Sequence, residues 1–308
     1  MRQIITLTMN PAVDKSCSVR SVVAERKLRC TPPTLEAGGG GVNVARAIRR
    51  LGGEAEAVCA AGGPPGALLA ELLEREGVRQ RMVAIEGWTR QNLTVREDTT
   101  GRQFRFGMPG PTLPAAEWQS CLRALEDVSE GDSVVVSGSL PSGVPDDFYG
   151  RVAQGMRERR VRVFVDTRGE PLRRAAQAGV FLLKPNMREF QELAEAELTE
   201  EDQQEAAAAR MIRDGWCEVV VLSLGAAGAL LVSRDLARRI RAPSVPVRST
   251  IGAGDSMVAG IVLALARGES LESAVRFGVT AGAAAVMTPG SQLCERETAE
   301  RLYARMQS

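Results

Sequence analysis

The second half of the chain alternates short apolar runs with helical segments, and this alternation constrains its fold more than any other feature. Residues 133–137 and 219–223 are rich in valine, a pattern typical of strands that are buried on both faces. Helical periodicity separates such runs, for example over residues 147–159 and 199–213. We therefore predict one α/β domain over residues 1–308, with a doubly wound, mostly parallel sheet.

Two segments outside this alternation predict a second, smaller sheet. Residues 15–36 alternate loosely between polar and apolar side chains, which predicts short strands at 16–19 and 27–30. Residues 88–108 contain a hairpin pattern around a Thr-Thr-Gly turn. We expect the two segments to form a small β-sheet lid on the main body. Because an isolated sheet of this size exposes one face, the lid predicts a homodimer, with a tetramer as the alternative.

The composition excludes several classes of function. The net charge is +1, with 44% hydrophobic and 25% charged residues, so we expect no nucleic-acid partner and no membrane surface. The first residues resemble a strand rather than a signal peptide, and the six cysteines include no C-x-x-C motif, so we expect a cytoplasmic protein. The sequence contains no histidine, which excludes a Ser-His-Asp triad and the usual zinc sites.

Polar side chains follow most of the predicted strands. The carboxyl ends of parallel strands meet at one edge of a sheet, where open α/β folds bind ligands. The side chains expected at this edge are Asp14, Ser139, Asp166, Lys184, Asn186 and Ser223. Asp14 could hold sugar hydroxyls or simply stabilise a turn. Asn186 and Glu189 lie three residues apart at a predicted helix start, a spacing that suits a hydrated Mg²⁺ ion.

Two glycine-rich stretches each lead into a helix. Residues 38–41 are four glycines followed by Asn43, which indicates close approach of the backbone to a sugar. In residues 249–262, glycines precede Asp255 and an apolar helix. A helix N-terminus attracts phosphate, and a carboxylate beside it can accept a proton from an attacking hydroxyl. These are the needs of a kinase, although Asp255 could also be an ordinary helix cap.

Three ordered motifs resemble those of the ribokinase-like (PfkB-type) carbohydrate kinases, and the resemblance spans essentially the whole chain. The motifs are residues 39–43, 184–189 and 250–255. Four segments are more specifically similar to the 6-phosphofructokinase branch of that family: 27–33, 88–93, 137–141 and 252–258. The resemblance implies a ribokinase-like fold. It also implies that ATP phosphorylates the 1-hydroxyl of fructose 6-phosphate, a phosphorylated ketohexose, to give fructose 1,6-bisphosphate in glycolysis.

The resemblance also implies a role for each matching residue. Asp255 would be the general base, with an anion hole formed by the backbone of Gly252, Ala253 and Gly254. The sugar would contact Asp14, Gly39, Gly40 and Asn43, and its phosphate would contact Lys27, Arg90 and Ser139. The nucleotide would contact Lys184, Asn186, Arg188, Ser223, Gly225 and Thr250, with Val279 and Ala283 near the adenine.

Two cations follow from the same resemblance. Glu189, together with Asn186, would act on Mg²⁺ through water. A monovalent cation such as K⁺ would lie in a loop matched by Ser249, Ile251, Ala285 and Gly290. The chain departs from the family pattern at two positions: Gln292 stands where we expect arginine, and Arg188 stands where the family has lysine. The latter exchange keeps the charge but changes its reach.

Four alternatives remain at this point. The same motifs suit a 1-phosphofructokinase or a tagatose-6-phosphate kinase, although residues 27–31 and 88–93 favour the 6-phosphofructokinase branch. A non-catalytic sugar-phosphate sensor is more remote, because the base and the glycines are both present. A dinucleotide-binding oxidoreductase is weaker still, because its glycine fingerprint is absent from the sequence.

Overall fold

A computed structural model describes residues 2–290 and 292–307. The strands in these ranges are β1 (Ile4–Thr8), β2 (Ala12–Val19), β3 (Thr34–Gly38), β4 (Glu56–Ala61), β5 (Arg79–Ala84), β6 (Arg90–Glu97), β7 (Gln103–Phe106), β8 (Ser133–Ser137), β9 (Arg162–Asp166), β10 (Val180–Leu183), β11 (Cys217–Ser223), β12 (Ala229–Ser233) and β13 (Ala237–Ile240). The helices are α1 (Gly40–Arg50), α2 (Gly63–Arg75), α3 (Ala115–Arg123), α4 (Phe148–Glu158), α5 (Gly169–Gln177), α6 (Met187–Ala194), α7 (Glu201–Arg213), α8 (Ala253–Ala266), α9 (Leu271–Val286) and α10 (Arg296–Gln307).

The larger sheet has nine strands in the order β13-β12-β11-β10-β9-β8-β1-β4-β5. All neighbours are parallel except β11 with β12 and β12 with β13. One apolar core packs α1, α8 and α9 on one face of the sheet, and a second packs α4, α5 and α7 on the other. The expected doubly wound, mostly parallel sheet is confirmed.

Strands β1 and β8 lie side by side at the centre of this sheet, and every residue of both is buried. In the larger sheet, the next strand along the chain after β1 is β4, which lies on one side, and the next after β8 is β9, which lies on the other. The crevice between the carboxyl ends of β1 and β8 is therefore a topological switch point. Helix α1 begins directly against this point. A Cβ atom at Gly40 would lie 2.3 Å from the Ser137 hydroxyl oxygen, so only glycine allows this approach.

The smaller sheet has the strand order β3-β2-β6-β7. The hairpin of β6 and β7 agrees with the sequence prediction, but the predicted strand at 27–30 is wrong, because the second strand is β3. Residues 24–34 are exposed, and Pro32 and Pro33 have no N–H to donate, so continuous pairing resumes only after them. Asp14 lies within β2 rather than in a loop directly after β1.

Apolar side chains remain exposed along the smaller sheet and its loops, including Leu28, Trp88 and Phe106.

Within the described ranges, no helix combines the length and the apolar character that crossing a bilayer requires.

Candidate active site

The N-terminus of α8 supplies a carboxylate and a set of free backbone donors. Gly252 precedes the helix with φ of 72°, a left-handed conformation that strains other residues, and a Cβ atom there would lie 2.6 Å from Leu293. Ala253, Gly254 and Asp255 form the first turn, whose N–H groups have no partner within the helix. The residue before the helix makes no side-chain cap, and the Asp255 carboxylate instead accepts a hydrogen bond from Asn43 Nδ2 at 2.9 Å.

Asp255 is surrounded by protein on most sides, although its side chain retains partial contact with solvent. Burial raises the pKa of Asp255 to about 7, and the negative charge of Asp166 adds to this rise. The Asn43 amide and the Lys184 ammonium group oppose it. A carboxyl group with a pKa near neutrality can exchange a proton under physiological conditions.

Lys184 places a positive charge beside the N-terminus of α8. Its Nζ lies 3.1 Å from Asp166 Oδ1, and a Cβ atom at Gly254 would lie 3.7 Å from that nitrogen. Burial alone would lower the pKa of Lys184, but the charge of Asp166, with contributions from Glu189 and Asp255, outweighs burial and raises it. Lys184 is therefore a fixed cation beside a helix N-terminus, an arrangement that favours phosphate.

A fully buried arginine, which the sequence did not single out, fixes the orientation of Asn43. Arg46 is 2% exposed and donates from Nη1 to the Ala37 carbonyl at 2.6 Å and to Asn43 Oδ1 at 3.4 Å. Its ion pair with Glu76, at 2.7 Å, balances the buried charge. Because Oδ1 of Asn43 faces Arg46, Nδ2 faces Asp255.

Asp14 and its neighbours form the sugar side of the candidate site. The Asp14 carboxylate accepts a hydrogen bond from Asn92 Nδ2 at 2.7 Å. Burial raises the pKa of Asp14, whereas Asn92 and the charge of Arg90 lower it. Gly39 and Gly40 lie at the start of α1, immediately after β3, which pairs with β2. The structure thus brings Asp14, Gly39, Gly40 and Asn43 to the junction between the two sheets.

Asn10 links Arg90 to Ser139. Arg90 donates to the Asn10 carbonyl, and Asn10 Nδ2 donates to the Ser139 hydroxyl. Among the described residues, no carboxylate lies within ion-pair distance of Arg90. Lys27 lies in the exposed segment after β2, and none of the described contacts joins it to Arg90 or Ser139.

Asn186 and Glu189 form a capping box at the start of α6. Glu189 N donates to Asn186 Oδ1 at 3.0 Å, and Asn186 N donates to Glu189 Oε2 at 2.9 Å. Burial raises the pKa of Glu189, and the bond from the Asn186 backbone lowers it. Within the described ranges, no cluster of three or more metal-ligating side chains occurs. The pair therefore offers few direct ligands to a metal, which suits an ion that keeps much of its water.

The remaining predicted nucleotide residues spread along the carboxyl edge of the sheet. Ser223 bonds to the Pro185 carbonyl, which places it beside Asn186. Gly225 begins the short turn after β11. Arg188 is 88% exposed and pairs with Glu192 rather than with another predicted site residue. Thr250 is exposed, whereas Val279 and Ala283 are buried in α9.

The predicted monovalent-cation residues do come together. The Ser249 hydroxyl donates to the Gly290 carbonyl at 2.6 Å and accepts from Ile251 N at 3.2 Å. Ser249 N donates to the carbonyl of Val286, the residue after Ala285. The Ala285 carbonyl accepts a bond from the Thr288 hydroxyl at 2.7 Å. These contacts hold a loop rich in carbonyl oxygens beside the α8 N-terminus.

Curated relatives resemble the chain over almost its full length. It is 45% identical over 302 residues to the ATP-dependent 6-phosphofructokinase isozyme 2 of Mycobacterium tuberculosis, covering 98% of this chain and 89% of that protein. It is 41% identical over 305 residues to the isozyme 2 of Escherichia coli, covering 99% of both. The 1-phosphofructokinase of Bacillus subtilis is 31% identical over 281 residues, covering 91% of both.

Crystal structures of Escherichia coli phosphofructokinase-2 match the fold, and each covers 100% of both chains. The complex with potassium has a TM-score of 0.97 at 41% identity. The complex with fructose-6-phosphate and the tetrameric inhibited form each have a TM-score of 0.95 at 40% identity. The sequence also matches the pfkB family of carbohydrate kinases over residues 7–299. The chain therefore belongs to the pfkB family of carbohydrate kinases.

Proposed function

We propose that the protein is an ATP-dependent 6-phosphofructokinase, which transfers the γ-phosphoryl group of ATP to the 1-hydroxyl of fructose 6-phosphate. The products are fructose 1,6-bisphosphate, ADP and a proton. The observation that carries this proposal is the Asp255 carboxyl, with a pKa of about 7, in the first turn of α8 beside Lys184. The similarity of the chain to the isozyme 2 enzymes supports fructose 6-phosphate as the substrate.

Asp255 acts as the general base. It takes the proton of the 1-hydroxyl as that oxygen attacks phosphorus, and Asn43 holds the carboxylate in place through the bond at 2.9 Å. The free N–H groups of residues 252–254 and the Lys184 ammonium group stabilise the charge of the transferred phosphoryl group. Phosphoryl transfer depends mainly on such positioning and charge stabilisation, and one donor of this kind is worth roughly 3–4 kcal/mol.

The smaller sheet and its neighbours select a sugar that already carries a phosphate. Among the described residues, no carboxylate lies within ion-pair distance of Arg90, and Asp14 acts on it only through its charge, so a dianionic phosphate is a suitable counter-ion for the guanidinium group. Ser139 adds a hydroxyl, and Lys27, in the exposed segment after β2, adds a second positive charge for the phosphate. Asp14 holds sugar hydroxyls, since its carboxylate keeps accepting capacity beyond the bond from Asn92.

The nucleotide lies along residues 184–188, 223–225 and 250, with the adenine near Val279 and Ala283. Glu189 and Asn186 would hold Mg²⁺ through water, which fits their capping-box geometry and small number of free oxygens. When bound, Mg²⁺ neutralises charge on the ATP phosphates. The loop of Ser249 and Gly290 supplies oxygen ligands for K⁺, the ion bound in the Escherichia coli structure.

The smaller sheet acts as a lid and as the interface of a homodimer. The lid comprises about residues 15–36 and 88–108, and its exposed apolar side chains are Val22, Val23, Leu28, Trp88, Phe106 and Met108. A second copy of the chain would cover these side chains, which contact no core in one copy alone. The tetrameric inhibited form of the Escherichia coli protein supports a tetramer as a further assembly of this chain.

A coupled ADP-release assay with MgATP tests the proposed substrate against fructose 1-phosphate and tagatose 6-phosphate. We expect kcat/KM to be at least about tenfold higher for fructose 6-phosphate, equivalent to about 1.4 kcal/mol of transition-state discrimination. Preference for fructose 1-phosphate would instead indicate a 1-phosphofructokinase, and preference for tagatose 6-phosphate would indicate the other kinase. ADP release with none of the three would overturn the assignment to a sugar-phosphate kinase.

A further inference from the structure

Asn10 connects the two side chains to which we assign the phosphate of the substrate. Its backbone carbonyl accepts hydrogen bonds from Arg90 Nη2 at 3.0 Å and from Arg90 Nε at 3.3 Å. Its side-chain Nδ2 donates to the Ser139 hydroxyl oxygen at 3.3 Å. Arg90 belongs to the smaller sheet and Ser139 to the loop after β8, so one residue, only 8% exposed, joins the two halves of the phosphate site.

The two ends of the Asn10 amide lie in different surroundings. Its Oδ1 is buried and has no hydrogen-bond partner within the described ranges. Gly110 packs directly against this oxygen, because a Cβ atom at Gly110 would lie 2.2 Å from it. A buried acceptor without a partner lowers stability, so the stability of the fold does not explain an asparagine here. The donor side of the amide, which faces Ser139, offers a functional explanation.

We propose that Asn10 is a positioning residue of the phosphate site and acts through Arg90 and Ser139; the proposal rests on the function given above. The carbonyl holds the Nε edge of the guanidinium group and leaves N–H donors of Arg90 for a ligand. The Ser139 oxygen accepts a hydrogen from Asn10, so its own hydrogen is free to bond a phosphate oxygen. Asn10 thus orients both groups toward the same anion.

Substitution Asn10→Ala tests this role, because it removes the amide but keeps the carbonyl that binds Arg90. We expect KM for fructose 6-phosphate to rise by about tenfold, because the Ser139 hydroxyl loses the hydrogen bond that orients it toward the phosphate. The kcat value and KM for ATP should change by less than about twofold, and kcat/KM for unphosphorylated fructose should not change. Gly110→Ala should act in the same direction, since its methyl group would displace the amide.

Asn92→Ala is the matched control. Asn92 bonds to Asp14 on the sugar side, so its loss should affect fructose and fructose 6-phosphate alike. A double-mutant cycle gives a second test: once Ser139 is replaced by alanine, adding Asn10→Ala should have little further effect on KM. Additive losses, or equal losses with the two sugars, would overturn the positioning role. A folded Asn10→Ala protein with unchanged KM would do the same.

The experiment separates this inference from the proposed function. If the unmodified protein does not prefer fructose 6-phosphate to fructose, the phosphate site does not exist and both proposals fail. If Arg90→Ala abolishes that preference and Asn10→Ala and Gly110→Ala leave it intact, only the role of Asn10 fails.

Discussion

The carboxyl edge of the larger sheet and the smaller sheet hold their charges in different surroundings. Lys184 is 5% exposed and paired with Asp166, and Asp255 beside it has a pKa of about 7. In the smaller sheet, Asp14 and Arg90 are only partly buried, and the charges of the neighbouring loop are exposed. Desolvation adjusts the protonation of a catalytic base, whereas partial access lets a charged ligand enter and leave. The first region should therefore control kcat and the second KM.

The largest expected effect comes from Asp255→Asn. The amide cannot accept the proton of the 1-hydroxyl, so we expect kcat to fall by about 10³- to 10⁵-fold, while the affinity for ATP stays within about twofold. Single-turnover kinetics and nucleotide titration measure the two quantities. Asp202→Asn, in the exposed first turn of α7, is the control and should have no effect. Near-normal turnover of Asp255→Asn would show that another group is the base.

Arg90→Ala addresses the recognition side of the comparison. Loss of a charge-assisted hydrogen bond of about 2–3 kcal/mol predicts a rise in KM for fructose 6-phosphate of about 30- to 150-fold, with KM for ATP nearly unchanged. Arg96→Ala is the matched control, because Arg96 lies on the same strand but is 60% exposed and paired with Asp98. Equal rises in both KM values would contradict a phosphate role for Arg90.

A second contrast, between the centre and the edges of the larger sheet, explains which of its strands the sequence predicted. Strand β8 lies in the centre of the sheet and consists of apolar residues flanked by serines, so its limits were predicted correctly. Strand β13 was missed. It is an edge strand that carries arginines, for example Arg239, and its polar pattern resembles a loop. Prediction from the pattern fails where the strand faces solvent rather than the core.

The site was predictable only where the chemistry lies within one motif. Asp255 follows its glycines directly, and the structure places it at a helix N-terminus as expected. The buried Arg46 and its partner Glu76 are thirty residues apart, so no local pattern links them. The sequence did not single out Asn10, because its contacts with Arg90 and Ser139 depend on tertiary structure. The assigned ligand roles stay predictions.

The exposed apolar side chains of the lid supply a prediction of intermediate size. Trp88 is 64% exposed and Phe106 is 48% exposed. If a second copy of the chain covers them, the double substitution Trp88→Ser/Phe106→Ser should weaken the dimer by at least about tenfold, since each buried side chain contributes roughly 1.5–3 kcal/mol. Sedimentation equilibrium measures this change. Val247→Ser is the control, because Val247 is also 64% exposed but lies outside this sheet, and an unchanged dimer in the double variant would exclude this interface.

The smallest expected effect concerns the pH dependence of the base. Asp255 acts in its ionised form, so kcat/KM should rise with pH through about 7 and level off above it. The Asn43 amide donates to the carboxylate, stabilises the ionised form and lowers the pKa of Asp255, so Asn43→Ala should move the midpoint to higher pH. At pH 7, a rise of one unit in the pKa of Asp255 lowers the ionised fraction of its carboxyl group by at most about tenfold.

The direction in which the midpoint of the pH profile moves decides between two roles of Asn43. If Asn43 served only as a sugar contact, its loss would raise KM at every pH without moving the midpoint. The pH profile of kcat/KM for Asn43→Ala should therefore be compared with that of Asn92→Ala, whose side chain contacts Asp14 and not Asp255. We expect the Asn92→Ala midpoint to stay near 7. An unmoved or lower midpoint in Asn43→Ala would mean that the Asn43 amide does not stabilise the ionised form of Asp255, and that the buried Arg46 orients Asn43 toward the sugar rather than toward the base.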